Sequence, residues 1–480
     1  MSIHLIKTLS HEKFHNYILN LSNITVPNIF AEYKKHVDNT KNTTRCYLWS
    51  NRFLLLYLIW IKRSIKNGFI TIRNPFSNKL ISSNTYFIIV INENNSQINT
   101  TRSIYSLVNY FFNDSNIIVG LGLGTDLGAL ETRILYIICL NTNNIIYNWE
   151  ELDSNIFLNT YYNLIINKKN NNKKKMLDNT PNEIVSLYGF CNNIGHSLFN
   201  DISGLFILHN ENIIQTINKI ILGPYDFFVL DKYFKQFKNI NIETFNNIKC
   251  LDNYFGKGVM FKYNHMFLSN KCKNFLKIHL ELHINDNSIK KDIAKIKKYY
   301  PIFNIYLRIG YNEMDDQSNV IINLINDLNK KYTNSFFILN GFCSNPNLLD
   351  NSIIGHGILN LTKDIKEKYN SLYKLISSKI NTQNCKSLIN YNLPEIAEYI
   401  KVTTYNIYQF NSLGTISSWL FSKPGILIGL TNTTKHLYKN QDIVINEDKL
   451  NIMYLSDNTV FNGNKYSISS DTIINNMPNF

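Results

Sequence analysis

The segment Phe303–Ile309 reads F-N-I-Y-L-R-I and is typical of a buried strand, because apolar and aromatic residues dominate it. An amphipathic helix is predicted next over Asp316–Tyr332, where apolar residues recur at helical spacing: Val320, Ile321, Leu324, Ile325 and Leu328. The segment Phe336–Leu339 (F-F-I-L) predicts a second strand. A strand, a crossover helix and another strand form the β-α-β unit of a Rossmann-like domain.

Arg308 lies at the carboxyl end of the first of these strands, just before Gly310. Ligands of open α/β sheets bind beyond the carboxyl ends of the strands. The planar guanidinium can contact two oxygens at once, so Arg308 is a candidate phosphate-binding residue. The alternative is a salt bridge at the surface or between domains, and the sequence leaves both open.

The region 401–430 predicts a second strand–turn–helix–strand unit. Val402–Tyr408 (V-T-T-Y-N-I-Y) and Ile426–Leu430 (I-L-I-G-L) have the character of strands, and Ile416–Phe421 that of a short helix. Free backbone N–H groups at Gly414–Ser417 would form an anion site at the start of that helix. An ordinary turn is the alternative. Four hydroxyls could add contacts: Ser412, Thr415, Ser417 and Ser418.

A third segment, Cys191–Asn210, reads C-N-N-I-G-H-S-L-F-N-D-I-S-G-L-F-I-L-H-N and predicts a helix capped by one of its opening asparagines. His196 and Asn200 are four residues apart and share a face, whereas Asp201 lies about 100° further round. The positive end of the helix favours neutral His196, the form that a general base needs. The alternative is a histidine at the surface or packed against its own cap.

Short apolar segments alternate with helical and polar ones around this stretch. They include Ile184–Tyr188, Phe227–Leu230, Val259–Phe261 and Phe275–Leu282. Such alternation predicts a doubly wound α/β layer. The basic, low-complexity segment Asn167–Asp178 before it predicts a solvated linker and the first domain boundary.

The region before that linker predicts a mixture of helices and strands. Residues 1 to about 65 are expected to be mainly helical, and Thr101–Phe112 has helical spacing. Strands are predicted at Phe69–Ile72, Thr85–Ile91, Asn116–Val119 and Arg133–Leu140. The run Gly120–Gly128 (G-L-G-L-G-T-D-L-G) does not fit G-x-G-x-x-G, so it predicts a loop between strands or a close approach of the backbone to another group, with a phosphate cradle as the less favoured alternative.

Composition narrows the class of protein. The formal net charge of +14 suits an anionic partner, although abundant lysine codons in an AT-rich genome would also produce it. No dense block of basic and aromatic residues supports specific nucleic-acid binding. The seven cysteines are scattered, which predicts reduced thiols, no zinc site and, with no signal peptide, a cytoplasmic protein. The apolar run Phe53–Ile61 is too short to span a bilayer; it predicts a buried helix, or alternatively one lying in the membrane interface.

Taken together, three segments resemble those of family 61-type glycosyltransferases and their bacterial polysaccharide-synthesis relatives. They are N-I-G-H-S-L-F-N-D-I-S-G-L, I-Y-L-R-I-G with the F-I-L-N-G that follows, and S-L-G-T-I-S-S-W-L-F-S-K-P-G-I-L-I-G. The resemblance covers roughly 184–431. It departs from the family at Tyr311–Met314, where relatives often have N-R-T-W, and at Asn200, where many have Asp.

The resemblance implies a GT-B-like fold, in which two Rossmann-like domains face a cleft, and a sugar transfer that needs no metal and no cofactor beyond the nucleotide-sugar substrate. The domains expected are an N-terminal α/β accessory region at 1–180, an acceptor-side domain at 181–287 and a donor domain at 288–480. It implies that Asn193 and Asn200 lie on the acceptor side, with His196 as the catalytic base and Asp201 as its substitute. Donor binding would fall to Arg308, Gln317, Ser412, Gly414, Thr415 and Ser417.

The expected function is transfer of a sugar from a nucleotide-sugar donor to a hydroxyl of a glycan or polysaccharide. Glycosyl transfer needs a base for the acceptor hydroxyl and positive charge for the departing diphosphate, which His196 and Arg308 would supply. The expected location is the cytoplasm, with peripheral association at the inner membrane face as an extension. Two alternatives stay open: a binding protein of the same fold that has lost its chemistry, and a basic protein associated with nucleic acid.

Overall fold

The chain divides into two compact units in the computed structural model: residues 1–190, 200–223 and 240–266 form one, and residues 191–199, 224–239 and 267–480 form the other. The structure describes residues 4–8, 70–83, 85–90, 102–126, 129–142, 144–147, 162–163, 165–167, 175–176, 183–189, 194, 197–210, 214–217, 219–223, 226–230, 240–244, 258–261, 270–281, 287–310, 313–341, 363–409, 413–414, 416–429, 452–455, 459–462 and 465–480.

The first unit contains a seven-stranded sheet in which most neighbours are antiparallel. Its strands are β1 (His4–Thr8), β4 (Thr85–Val90), β5 (Arg102–Phe112), β6 (Ile117–Asp126), β7 (Ala129–Cys139), β8 (Asn144–Tyr147) and β9 (Lys175–Met176), in the order β1-β8-β7-β6-β5-β4-β9. Only the pair β1–β8 is parallel among these neighbours. A hairpin of β2 (Ile70–Arg73) and β3 (Leu80–Ser83) precedes β4, and a 3-10 turn at Asn113–Ser115 precedes β6.

One sequence prediction for this sheet is wrong, and another is right only in part. Thr101–Phe112 was predicted to be helical but forms β5, because a bulge between Ile104 and Ser106 interrupts the period-two alternation that identifies a strand. The glycine-rich run predicted as a loop is largely strand β6, hydrogen-bonded on both sides. The predicted close approach of the backbone is confirmed at Gly120, where a Cβ would lie 2.0 Å from the Tyr136 ring. The predicted helices before residue 65 lie outside the described residues, except that His4–Thr8 is a strand.

A second sheet of this unit is entirely parallel. It contains β10 (Glu183–Tyr188), β11 (Lys219–Leu222), β12 (Asn241–Thr244) and β13 (Gly258–Phe261) in the order β12-β11-β10-β13. The predicted strands at 184–188 and 259–261 are confirmed. Between β10 and β11 the chain runs through a π-helix (Ser197–Ile202), helix α1 (Ser203–Asn210) and a 3-10 turn (Ile214–Thr216).

The second unit is built on a six-stranded parallel sheet. Its strands are β14 (Ile302–Tyr306), β16 (Phe336–Asn340), β17 (Cys385–Ser387), β18 (Tyr405–Gln409), β19 (Gly425–Ile428) and β20 (Ile452–Tyr454). The order in space is β17-β16-β14-β18-β19-β20, which is the 3-2-1-4-5-6 order of a Rossmann fold. The mixed α/β class with parallel sheets is therefore confirmed; the predicted domain boundaries and the cleft stay predictions.

The second unit also contains helices before, between and after these strands. They are α2 (Asn270–Glu281), α3 (Asn287–Ile296), α4 (Gln317–Lys331), α5 (Lys363–Ser377), α6 (Leu393–Ile400) and α7 (Ser470–Asn475), with a 3-10 turn at Thr382–Asn384 and a second π-helix at Ile416–Leu420. The predicted crossover β14–α4–β16 is confirmed. Helix α6 begins in a capping box, because Asn392 accepts from the Glu395 N–H while Glu395 accepts from the Asn392 N–H.

One face of the six-stranded sheet packs against α4, α5 and α7. Phe303, Ile305 and Leu339 on the strands meet Ile321, Leu324 and Leu328 of α4 in a buried apolar cluster. On the opposite face Tyr306 stacks on Tyr408, with ring centroids 5.2 Å apart. A small sheet of β15 (Glu313–Met314), β22 (Lys465–Ser467) and β21 (Val460–Asn462) is also part of this unit. Among the described helices, none has the length and apolar character required to cross a membrane.

Candidate functional site

The carboxyl ends of β14 and β18 form the switch point of the six-stranded sheet. From β14 the chain crosses over to β16 on one side, and later returns to β18 on the other side. In open α/β sheets this is where ligands bind. Arg308 lies two residues beyond β14 with 8% of its surface exposed, so the sequence prediction of its position is confirmed.

Gln317, the first residue of α4, holds the backbone of Arg308 from both sides. The Arg308 N–H donates to Gln317 Oε1 at 2.9 Å, and Gln317 Nε2 donates to the Arg308 carbonyl at 2.6 Å. Gln317 itself is buried, with 4% of its surface exposed. Both ends of the amide are used within the protein, so Gln317 acts on the position of Arg308; its predicted direct contact with a donor stays a prediction.

Two further buried residues extend this hydrogen-bond network across the switch point. Gln409, the last residue of β18, donates through Nε2 to the Tyr306 carbonyl at 2.9 Å and to Gln317 Oε1 at 2.6 Å. Tyr466 on β22 donates its hydroxyl to Gln409 Oε1 at 3.1 Å. A buried network whose groups all find partners is rigid, which fixes the ends of both strands relative to each other.

Gly429 allows Tyr466 to take this position. A Cβ at Gly429 would lie 2.4 Å from the Tyr466 ring, and the residue has φ +81°, a conformation that favours glycine. Sequence reasoning missed both Gln409 and Tyr466. A polar Gln at the end of an apolar strand is a weak signal for the first; for Tyr466, about 60 residues later, the sequence carried none.

The backbone N–H groups of residues 308–310, just after β14, are bound by side chains. Ile309 N–H donates to the Tyr369 hydroxyl at 3.3 Å, and Gly310 N–H donates to Glu313 Oε2 at 2.9 Å. With Arg308 N–H on Gln317, three consecutive donors are used inside the protein. These amides are therefore unavailable to an anion, and the Arg308 side chain is the cationic group at this strand end.

Arg308 also influences the tyrosines around it. Burial raises the pKa of the Tyr369 hydroxyl to about 12, and the nearby Arg308 charge offsets part of this rise. Burial likewise raises the pKa of Tyr466, again opposed by Arg308. Both phenols are neutral at neutral pH, so they act as hydrogen-bonding groups beside the guanidinium and do not neutralise its charge.

The predicted anion site at Gly414–Ser417 is partly occupied by the protein's own contacts. Ser417 is fully buried and its hydroxyl bonds the Tyr306 hydroxyl, while the Ser418 hydroxyl donates to the Gly414 carbonyl at 3.0 Å. The Ile416 N–H donates to the Leu413 carbonyl at 3.1 Å. The helix that follows has five residues and π geometry. Ser412 and Thr415 lie outside the described residues.

The described part of the 191–210 segment continues from a π-helix into α1, and its residues from 200 onward belong to the first unit. The predicted apolar face is confirmed, because Leu198, Ile202 and Leu205 are buried. Asp201 is buried and accepts the Gly189 N–H at 3.0 Å, which anchors the exit of β10. Asn193 and His196 lie outside the described residues, as does the side chain of Asn200.

Two of the three segments singled out from the sequence therefore contain a π-helix, Ser197–Ile202 and Ile416–Leu420. This geometry is rare and is often found at functional sites. No group of three or more His, Cys, Asp or Glu side chains able to hold a metal ion occurs within the described residues.

No protein-family model matches the chain, and no curated protein matches it. Solved structures give weak similarities. An alpha,alpha-trehalose 6-phosphate synthase from Burkholderia multivorans matches with TM-score 0.26 and 6% identity, over 51% of this chain and 52% of its own, so the chain spans about half of that protein. The S. aureus MnaA–UDP structure matches with TM-score 0.24 and 9% identity, over 55% of this chain and 89% of its own. The iron-containing dodecameric glycosyltransferase TibC from enterotoxigenic E. coli H10407 matches with TM-score 0.27 and 9% identity, over 68% of this chain and 76% of its own.

Proposed function

We propose that this protein is a glycosyltransferase that moves a sugar from a nucleotide-sugar donor to a hydroxyl of a glycan or polysaccharide. The observation that supports it most is the position of Arg308 at the switch point of a six-stranded parallel sheet, with its backbone held on both sides by Gln317. This combines the usual ligand position of the fold with a cation suited to phosphate oxygens.

On the donor side, Arg308 binds the diphosphate of the nucleotide-sugar. Negative charge grows on that diphosphate as the glycosidic bond breaks, and a guanidinium held in place beforehand stabilises it. Gln317, Gln409 and Tyr466 are positioning residues, because their hydrogen bonds fix the Arg308 segment. The proposal includes Gly414, Thr415 and Ser412 under the diphosphate, with no metal ion required because Arg308 supplies the charge.

On the acceptor side, His196 removes the proton of the acceptor hydroxyl, and Asn193 and Asn200 contact the acceptor. Asp201 was the substitute base; its contact with Gly189 instead supports a positioning role at the end of β10. The GT-B arrangement and a cytoplasmic location, at the inner membrane face, belong to the same proposal. The apolar segment Phe53–Ile61, predicted as a buried helix or alternatively as one lying in the membrane interface, is outside the described residues.

Binding of nucleoside diphosphates tests the donor side directly. Isothermal titration calorimetry with UDP, GDP, ADP and CDP should find at least one that binds, and Arg308→Ala should weaken it by about ten- to a hundredfold, because a charged hydrogen bond is lost. The affinity of Arg308→Lys should lie between those of the wild type and Arg308→Ala, since lysine keeps the charge but lacks the planar fork. Arg73→Ala is the matched control: Arg73 is bound to Asn78 in the β2–β3 hairpin, and its loss should leave affinity unchanged.

Turnover separates an enzyme from a binding protein. His196→Ala should lower hydrolysis or transfer of the matching nucleotide-sugar by about a hundred- to ten-thousandfold while diphosphate affinity is retained. Tight diphosphate binding with no turnover in the wild type would favour the non-catalytic alternative. If no diphosphate binds, or if Arg308→Ala binds as well as the wild type, the donor site is wrong.

A further inference from the structure

Helix α3 carries a lysine-rich outer surface that the proposed sugar transfer does not use. Its apolar side is fixed by Ile289 and Ile296, which are buried and lie seven residues apart on one face. The exposed positions of the helix and its following turn form what we call the basic face: Lys290, Lys291, Lys295, Lys297 and Lys298. The turn continues the helix, since Lys297 N–H donates to the Ile293 carbonyl at 2.9 Å.

Asp292 is the one acidic residue between 287 and 300; it forms an ion pair with Lys386 on β17, and 36% of its side chain is exposed. It also accepts the Tyr399 hydroxyl at 3.1 Å. Lys295 also interacts with the charge of Asp292, so this one carboxylate offsets only part of the positive charge of the five lysines on the basic face.

The spacing places three of the lysines in one line. Lys291, Lys295 and Lys298 follow each other at intervals of four and three residues, which puts them on one stripe of the helix surface. Tyr300, at the end of the turn, is 61% exposed. A tyrosine with a wet hydroxyl and an apolar ring is the residue type enriched where a protein meets the boundary of a bilayer.

From these features we infer that the basic face of α3 is a docking surface for an anionic phospholipid bilayer. The surface is the convex outside of a helix, which suits a flat layer of headgroups. It uses lysine throughout, with no arginine between residues 287 and 300 that could contact bases through a planar fork. A single exposed ring also gives no series of stacking platforms, which single-stranded nucleic acid requires.

The charge on the rest of the surface gives an internal comparison. Helix α5 and its following turn also expose lysines, at Lys368, Lys374 and Lys379, but these are spread over more than three turns and Glu367 is exposed beside the first. Removing three charges from α3 or from α5 changes the net charge equally. Only the first removes a continuous basic stripe.

Cosedimentation of the full-length protein with vesicles tests the inference. The wild type should bind vesicles of phosphatidylcholine with about 30% phosphatidylserine, should not bind pure phosphatidylcholine, and should dissociate in 0.5 M salt because surface charges are then screened. Each lysine near an anionic surface contributes about fivefold to partitioning. The triple variant Lys291→Gln, Lys295→Gln, Lys298→Gln should therefore bind roughly a hundredfold more weakly, with an unchanged melting temperature.

The control variant Lys368→Gln, Lys374→Gln, Lys379→Gln should keep most of the vesicle binding. Equal losses in both triple variants would show diffuse attraction by net charge and would overturn the docking surface, as would absence of vesicle binding by the wild type. A 20-nucleotide single strand and duplex form the last arm: tight binding that depends on the α3 lysines, without vesicle binding, would identify nucleic acid as the partner and overturn the inference.

Discussion

The two units of the molecule contain the same local arrangement in different sheets. In the first unit Tyr136 of β7 lies across Gly120 of β6 and bonds Asn109 Oδ1 of β5, and the register puts these three residues side by side. In the second unit Tyr466 lies against Gly429 and bonds Gln409 Oε1. In both, a glycine makes space for a buried ring whose hydroxyl satisfies a buried amide.

The two arrangements differ in the further groups to which the amide residue is connected. Asn109 sits within a strand of a mostly antiparallel sheet, between neighbours that are already paired. Gln409 ends a strand of a parallel sheet, and its Nε2 continues to Gln317 and so to the Arg308 segment. Parallel strands end together at one edge, so the same arrangement that stabilises the first sheet can position a side chain in the second.

The largest expected effect comes from adding a methyl group to either glycine. Gly120→Ala and Gly429→Ala should each lower the free energy of unfolding by about 3 kcal/mol, because the Cβ would overlap the tyrosine ring and overpacking in a filled core is costly. Gly429→Ala also strains a residue with φ +81°. Urea denaturation measures both.

A double-mutant cycle provides the control for this prediction. Tyr136→Leu combined with Gly120→Ala should recover part of the loss, because the smaller side chain leaves space for the methyl group. Simple additivity of the two changes would contradict the proposed ring–glycine contact.

High pH should lower the stability of the second unit through Tyr369, whose hydroxyl accepts the Ile309 N–H next to Arg308. Its pKa is raised to about 12, mainly by burial, so the folded state holds this proton more tightly than the unfolded state. The resulting stability is fully present below about pH 10 and is lost as pH rises towards 12. Over that range the wild type should lose about 2 kcal/mol more than Tyr369→Phe.

Urea titrations of the wild type and Tyr369→Phe at pH 9, 10, 11 and 12 measure this difference. The other tyrosines ionise in both proteins, so their contributions cancel in the stability difference. Parallel pH profiles for the two proteins would mean that the Tyr369 pKa is not raised.

The smallest effect on stability, and the sharpest test of the comparison, comes from removing the two hydroxyls. Tyr136→Phe and Tyr466→Phe should each cost about 1 kcal/mol of stability, the usual net value of a buried hydrogen bond. Only Tyr466→Phe should also weaken nucleoside diphosphate binding, by a fewfold, because only Gln409 is connected to Arg308. If calorimetry finds equal nucleoside diphosphate affinities in the two variants, the network around Gln409 does not contribute to ligand binding through Arg308.

Local sequence pattern was sufficient where the residues of a strand or helix show the periodicity of that element by themselves. The strand at 303–309, the helix at 316–332 and the strand at 336–339 were predicted within a few residues, since each is a run of apolar side chains at a single period. The pattern misled at β5, where the bulge near Tyr105 shifts the alternation. At β6 it indicated the close approach of the backbone to another group but not the strand, because the ring that Gly120 accommodates lies on the neighbouring strand.

The amino-acid sequence by itself determined the α/β class of the second unit, its β-α-β crossover and the place of Arg308 at a strand end, because these follow from periodicity along the chain. Only the tertiary structure decided the 3-2-1-4-5-6 strand order and the network of Gln317, Gln409 and Tyr466 around that arginine. The reason is physical: the hydrogen bonds from Gln409 to Gln317 and to Tyr466 join residues 92 and 57 positions apart, and no local preference encodes a partner at that distance.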